Sequence, residues 1–276
     1  MYERSVEELS KSIREVGQGH LVVVTGAGIS AASGIPTFRG DDPDAIWKKD
    51  VTEMATYRFF REDPVASWRW YLHRFDLLPS AQPNDAHRAL VDLQQLHSER
   101  GGRFTLVTQN IDTLHERAGS EDLVKVHGSI DRLRCGARGG CPQGSPKGSI
   151  SRDEVAEATA AFRADPSETT LPPCPDCSDI LRPHVLWFDE YYADHDDYQW
   201  PRVQNAARTA DFLLFIGTSF SVGVTELFLQ SSMVQKIPAW SIDPSPVPSY
   251  YPVDVVRAKA EDVLPSVVDR LCHKET

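Results

Sequence analysis

The sequence predicts an α/β fold built on a parallel sheet, and three observations carry that prediction. Aliphatic and β-branched runs recur along the chain, segments of helical periodicity separate most of them, and the first run passes directly into a glycine turn. A run apolar at consecutive positions suits a strand buried on both faces. Strand–helix alternation then implies right-handed crossovers between parallel strands. In chain order, the polar opening MYERSVEELSKSIREVG reads as an amphipathic helix. Strands follow at His20–Thr25, Arg103–Thr108, the short LVKV run ending at Val126, His184–Phe188, Asp211–Gly217 and Lys236–Ile242. Two stretches break the rhythm. Trp47–Leu78 is aromatic-rich and helix-like, with no strand candidate. Cys135–Cys177 gathers four cysteines among Gly and Pro, with one helix candidate opened by the capping-box pattern Ser151 to Glu154. Both read as insertions that together make a smaller second domain. Asp243–Pro252 is a Pro-rich loop.

Composition narrows the function. The 276 residues suit one or two domains and a core that needs no covalent staples. With 41% hydrophobic and 25% charged residues, the chain is not a disordered one. The net charge of −11 argues against a protein held on duplex nucleic acid by phosphate contacts. No apolar run approaches the roughly 20 residues of a membrane span. Five cysteines and a polar N-terminus give the expectation of a cytoplasmic protein with reduced thiols.

Three motifs carry chemistry. Gly26-Ala27-Gly28-Ile29-Ser30 follows a buried strand, where glycines let backbone approach a pyrophosphate at a helix start. The third glycine arrives only at Gly34, and GIPTFRG stands where a dehydrogenase would carry its ribose-binding acid, so plain hydride transfer is disfavoured. Cys135-x5-Cys141 and Cys174-x2-Cys177, 32 residues apart, suit four-thiolate ligation of a structural zinc with no open position. Cys272 is spare. His127 ends the LVKV strand on the edge where α/β proteins bind ligands, and its ordinary pKa near 6.5 suits a general base. Thr108 to Asp112 (TQNID) ends another strand in the same way.

The motifs GAGISAASGIPTFRG, TQNIDTLHERAG, VHGS, the paired cysteines, LRPHVLWFDE and GTSFSVG stand in the order found in sirtuins, which the chain resembles from about Leu21 to Leu271. Sirtuins are NAD-dependent protein lysine deacylases. The resemblance implies a Rossmann-like, doubly wound large domain (1–46, 79–130 and 182–276) and a smaller domain made of a helical module (47–78) and a zinc-binding module (131–181). NAD would lie between them. Gly26, Ala27, Gly28, Gly217, Thr218 and Ser219 would line the phosphates and riboses, with Ser30 and Ala260 in the same cofactor set. Phe38 and Arg39 would sit on the cofactor loop. Gln109, Asn110 and Asp112 would surround the nicotinamide and its ribose, with Asn110 and Asp112 joining His127, the base, as catalytic residues. By this likeness the acyl oxygen attacks the anomeric carbon, nicotinamide leaves, and the products are free lysine and O-acyl-ADP-ribose. Val185, Trp187 and Phe188 would pair edge-on with an acylated-lysine peptide, the expected partner of an expected monomer.

Tyr71 and Arg74, three apart on one helix face, resemble the Tyr-x-x-Arg pair of sirtuins that remove succinyl, malonyl and glutaryl groups. Arg offers a planar fork of donors and Tyr a hydroxyl to the terminal carboxylate. Thr37 fits that branch, as does Ala55, whose small side chain leaves pocket room. Asp189 stands where the family usually has Gly, and Asp243 where an Asn usually approaches the adenosine ribose. Two other classes use the same features: an ADP-ribosyltransferase or NAD hydrolase, and a non-enzymatic zinc and NAD sensor.

Overall fold

Helix α1 (Tyr2–Glu15) buries Val6, Leu9 and Ile13, the three- and four-residue spacing that puts one stripe against a core. The computed structural model describes residues 2–36, 51–77, 80–138, 140–142, 148–245 and 252–273. Thr37, Phe38, Arg39 and the side chain of Arg74 lie outside the described residues. After α1 come β1 (His20–Thr25), a 3-10 turn (Ala27–Ser33), α2 (Val51–Met54), α3 (Tyr57–Glu62), α4 (Pro64–Leu77) and α5 (Asp85–Glu99). Next are β2 (Arg103–Thr108), α6 (Leu114–Ala118), β3 (Leu123–Lys125), β4 (Gly128–Cys135), α7 (Arg152–Ala164) and β5 (Leu181–Val185). The chain closes with α8 (Trp200–Thr209), β6 (Phe212–Ile216), α9 (Gly223–Gln235), β7 (Ala239–Ile242), β8 (Asp254–Val256) and α10 (Ala260–Cys272).

Six strands form one parallel sheet in the order β3-β2-β1-β6-β7-β8. This is the Rossmann order, with successive strands added outward on both sides of β1. Alternation along β1 explains why its run is apolar throughout. Leu21 and Val23 face a cluster with α1, α5 and α10, while Val22 and Val24 face a second cluster with α8 and α9. Each such side chain contributes about 1.5–3 kcal/mol on burial. Strand order reverses between β1 and β6, so the loops leaving their carboxyl ends part and open a crevice.

A third cluster packs elsewhere. Ala55, Phe60, Trp68, Tyr71 and Leu72 meet Leu133, Val155, Phe162, Leu181 and Trp187 around a two-stranded antiparallel ribbon of β4 and β5. Here one expectation is corrected. His184–Phe188 is not a strand of the parallel sheet: β5 ends at Val185 and pairs antiparallel with β4. A continuous apolar run signals burial on both faces but not the direction of its partner. The capping box at α7 forms as expected, with the Ser151 N–H donating to Glu154 Oε2 at 2.8 Å. No described helix is long and apolar enough to cross a membrane.

Candidate active site

The loops after β1 and β6 touch through their backbones. Gly26 N–H donates to Ile216 O and Gly28 N–H to Gly217 O, both at 2.9 Å. A Cβ on Gly28 would fall 2.6 Å from Gly217 Cα, and Gly217 itself holds a φ of 58°. Glycine is thus required here by loop-on-loop approach and by a left-handed turn, and the result is a narrow cradle at the sheet's switch point. Ala27 opens the 3-10 turn within it, Thr218 is buried beside it, and exposed Ser219 hydrogen bonds to Ser221. Asp243 follows β7 on the same edge and Ala260 begins α10. Burial raises the Asp243 pKa, against the Ser245 N–H bond at 2.7 Å that favours its charge.

A buried polar network floors the crevice. Asn110 Nδ2 donates to Gly26 O and Ser30 Oγ, each at 3.1 Å, and the Ser30 hydroxyl donates to Asp112 Oδ2 at 2.9 Å. The other Asp112 oxygen accepts the Leu114 N–H, starting α6. Gln109 reaches Thr218 Oγ1 with its amide at 3.2 Å, joining the β2 edge to the β6 loop. Four of the expected residues, Ser30, Gln109, Asn110 and Asp112, are therefore brought to one place.

His127 lies between this network and the ribbon. Its Nδ1 is 2.8 Å from Gln109 O. A carbonyl only accepts, so Nδ1 carries the proton and Nε2 of the neutral ring offers a lone pair. Burial lowers the His127 pKa to about 4, with the Gln109 bond opposing. The ring is accordingly neutral at neutral pH and able to take a second proton at Nε2. Two residues that no motif announced complete its setting. Tyr192 stacks on His127 with centroids 5.8 Å apart and its hydroxyl 3.5 Å from Nε2, and Trp200 stacks on the far side of Tyr192 at 4.4 Å.

The His127 carbonyl accepts the Leu186 N–H at 2.9 Å, which fixes the 185–190 segment beside the base. Side chains there divide. Val185 and Trp187 are buried, Trp187 at 2% exposure, whereas Phe188 is 53% exposed. Trp187 Nε1 donates to Tyr71 Oη, and Phe188 N–H donates to Ala55 O at 3.1 Å. Asp189 accepts the first two amides of α3, Tyr57 N at 2.7 Å and Arg58 N at 3.1 Å. Its carboxylate thus caps a helix N-terminus, a role that explains an acid where Gly was expected. Glu190 is the hub of the turn. Buried Arg182 clasps it with both guanidinium nitrogens, Arg134 adds a bond at 3.3 Å, and Glu190 accepts the Trp187 N–H at 3.0 Å. Burial works against that carboxylate's charge, and the two guanidiniums hold its pKa below the usual range.

Cys135, Cys141, Cys174 and Cys177 converge at the open end of the ribbon, with all four sulfurs within 4.8 Å of one another. The 135–177 and 141–174 pairs are 3.5 and 3.4 Å apart. Zn–S arms of about 2.3 Å give a tetrahedral edge of about 3.8 Å, so the donor set fits a closed four-thiolate zinc. Cys272 is exposed at the end of α10, away from the four.

A Rossmann-order sheet with a glycine cradle at its switch point, set against a ribbon that bears four converging cysteines, defines a nucleotide-binding α/β protein with a cysteine-bearing insertion able to hold a metal ion. Comparison with known proteins gives the family. The Sir2 family profile matches residues 26–224. The chain is 41% identical over 219 residues to an NAD-dependent protein deacylase of Thermus thermophilus, covering 79% of this chain and 75% of that one. It is 36% identical over 248 residues to an NAD-dependent protein deacylase of Leptospira interrogans, covering 89% and 90%. Among solved structures, a Sir2 homolog in complex with NAD aligns at a TM-score of 0.76 and 34% identity, covering 96% of this chain and 93% of that one. A mutant Sir2 homologue with ADP-ribose aligns at 0.77 and 33%, covering 96% of each. The chain belongs to the Sir2 family.

Proposed function

We propose that this protein is an NAD-dependent protein lysine deacylase that accepts acetyl and prefers succinyl- or malonyl-type groups. The observation that carries the reading is the His127 imidazole, held by Gln109 at Nδ1 so that the Nε2 lone pair faces outward beside Tyr192, between the Asn110–Ser30–Asp112 network and the 185–188 segment. The names of the relatives from Thermus and Leptospira support it, as does a Sir2 variant solved with a deacetylated p53 peptide and acetyl-ADP-ribose, 25% identical to this chain.

NAD, when bound, supplies an anomeric carbon that accepts the acyl oxygen as nicotinamide departs. The chain's residues do the rest. Gly26, Ala27, Gly28, Gly217, Thr218 and Ser219 approach the phosphates and riboses, and Asp243 and Ala260 bind at the adenosine end. Phe38 and Arg39 belong to the cofactor loop of this reading. Gln109, Asn110 and Asp112 hold the nicotinamide ribose, and His127 Nε2 takes a proton from a ribose hydroxyl. Tyr192 and Trp200 keep the imidazole plane fixed. The peptide docks along Val185 to Phe188, with Phe188 presenting the exposed ring. Zinc in the four cysteines holds the ribbon and takes no part in chemistry.

Tyr71 and Arg74 carry the acyl preference, with Ala55 leaving room. Tyr71 Oη accepts a bond from Trp187 Nε1, which ties the Tyr71 ring to the 185–188 segment. Charge-assisted bonds of about 1.5–3 kcal/mol set the preference at roughly 10- to 150-fold. The domain division at 1–46, 79–130 and 182–276 against 47–78 and 131–181 belongs to the same proposal. The third apolar cluster joins the two small-domain modules, Phe60 and Trp68 with Leu133 and Phe162, and also takes in Ile130, Val185 and Trp187 from the large-domain segments.

Mass spectrometry of NAD incubated with acetyl-, succinyl- and unmodified lysine peptides tests the reading. O-acyl-ADP-ribose formed only with acylated peptides, and faster with succinyl, is the expected result. Nicotinamide release indifferent to acylation would identify a hydrolase or ADP-ribosyltransferase instead. Arg74→Met should lose succinyl turnover far more than acetyl turnover, and equal losses would remove the acyl assignment alone.

A further inference from the structure

Apart from the four cysteines, three side chains converge beside β5: His184 on the strand, and His195 and Asp197 in the turn before α8. One donor atom from each lies within 4.8 Å of the other two. His184 Nε2 is 3.2 Å and His195 Nδ1 is 3.9 Å from the same Asp197 Oδ2. The two imidazoles meet edge to face with centroids 4.5 Å apart. Both histidines are closed off from solvent, at 1% and 2% exposure. Yet, among the described residues, neither ring nitrogen of His184, nor His195 Nε2, nor the neighbouring Tyr198 hydroxyl has an aligned hydrogen-bond partner, the Gly148 backbone carbonyl being the polar group that faces His195. The approach of His184 to Asp197 is short without being aligned as a hydrogen bond. Buried polar atoms are nearly always paired, so orphaned nitrogens gathered at one carboxylate point to an occupant.

We propose that His184, His195 and Asp197 form a second zinc site, with two imidazoles and one carboxylate as ligands and a fourth position open to water. The donor set is of the borderline kind that zinc accepts, and arms of about 2.0–2.1 Å give a tetrahedral edge of about 3.3–3.4 Å. The 3.2 Å separation matches that edge, and the 3.9 Å separation closes to it with a small turn of the half-exposed Asp197. His195 Nδ1 accepts the Asp197 backbone N–H at 3.2 Å, a long bond that the ion replaces. Ser149 Oγ donates to Asp197 Oδ2 at 3.2 Å and orients the carboxylate from outside.

Occupancy would pin three separate segments. Ser149 adjoins Ile150, which bridges to Leu133 of β4; His184 is on β5; and His195 lies three residues beyond Tyr192, the residue stacked on His127. Arg134 packs 5.6 Å from the Tyr198 ring that stacks on His184. Arg134 and Arg182 both contact Glu190, and their positive charge lies beside His184. The second ion is therefore held less tightly than the one among the thiolates and leaves first.

The test is metal content by mass spectrometry of untagged protein, saturated with zinc and gel-filtered. Two zinc ions per chain are expected in the wild type, and one in His184→Asn and in Asp197→Asn. Cobalt loading gives a second reading that needs no variant. The first equivalent should bring thiolate-to-cobalt charge-transfer absorption, and the second should add d–d absorption without more of it. One zinc per chain in the wild type, two retained in both folded variants, or no second cobalt equivalent would each overturn the site.

Discussion

The six-stranded sheet and the two-stranded ribbon of this molecule are held by different forces. Each face of the sheet is covered by its own apolar cluster, so β1, β2 and β6 are fixed by burial from both sides. The ribbon has one cluster and then depends on polar devices: four converging cysteines, the Arg182–Glu190–Arg134 network and the Asp189 cap on α3. The sheet is thus a platform set by burial, whereas the ribbon is set by specific latches that can be altered one at a time. His127 stands at the seam, its Nδ1 tied to the sheet through Gln109 and its carbonyl tied to Leu186 of the ribbon side.

Cys141→Ser should break this contrast most severely. Zinc in the proposed four-cysteine site would contribute on the order of 10–16 kcal/mol of folding free energy. Hydrogen exchange should show protection lost across β4, α7 and β5 while β1, β2 and β6 keep theirs. Equal loss in both regions would show that they do not differ in the way described.

His127→Ala should lower turnover by about 10²- to 10⁴-fold, with thermal stability little changed. The pH profile sharpens this. With its pKa lowered to about 4, His127 is a competent base at any higher pH, so its acid limb in kcat/KM should lie well below pH 6.5. The same shift makes the protein bind fewer protons folded than unfolded between about 4 and 6.5. Buried His20 and His87, also lowered to about 4 chiefly by burial, act in the same sense. Stability should therefore fall as pH drops through that window, read as a declining Tm.

Glu190→Gln comes next. It leaves two buried guanidiniums without their carboxylate, which costs about 3–5 kcal/mol and should raise the KM for peptide more than that for NAD. Asp189→Gly should have the smallest effect. Loss of an N-terminal cap costs about 0.5–2 kcal/mol, and a modest rise in peptide KM with unchanged NAD KM is expected.

Much of the sheet was legible because burial on two faces writes itself as consecutive apolar residues, as in LVVV and FLLFI. The three-residue β8 was not, since Asp254–Val256 is too short for a pattern and follows Pro252. His184–Phe188 misled because the same apolar run also suits an antiparallel strand buried under a small core. At the site, motif residues stood together in sequence, as Gln109, Asn110 and Asp112 do. Tyr192, Trp200, Arg134, Arg182 and Glu190 act through partners that no local spacing encodes, such as the 65 residues separating His127 from Tyr192. Asp189 was visible as a departure, but only its two amide partners showed what the carboxylate does.

The most direct test of the account follows nicotinamide and freed lysine together, with a succinylated peptide and NAD. Equimolar release of the two, absent without the acyl group and abolished together in His127→Ala, is the predicted result. Nicotinamide released in excess of lysine, or at the same rate from an unmodified peptide, would contradict it.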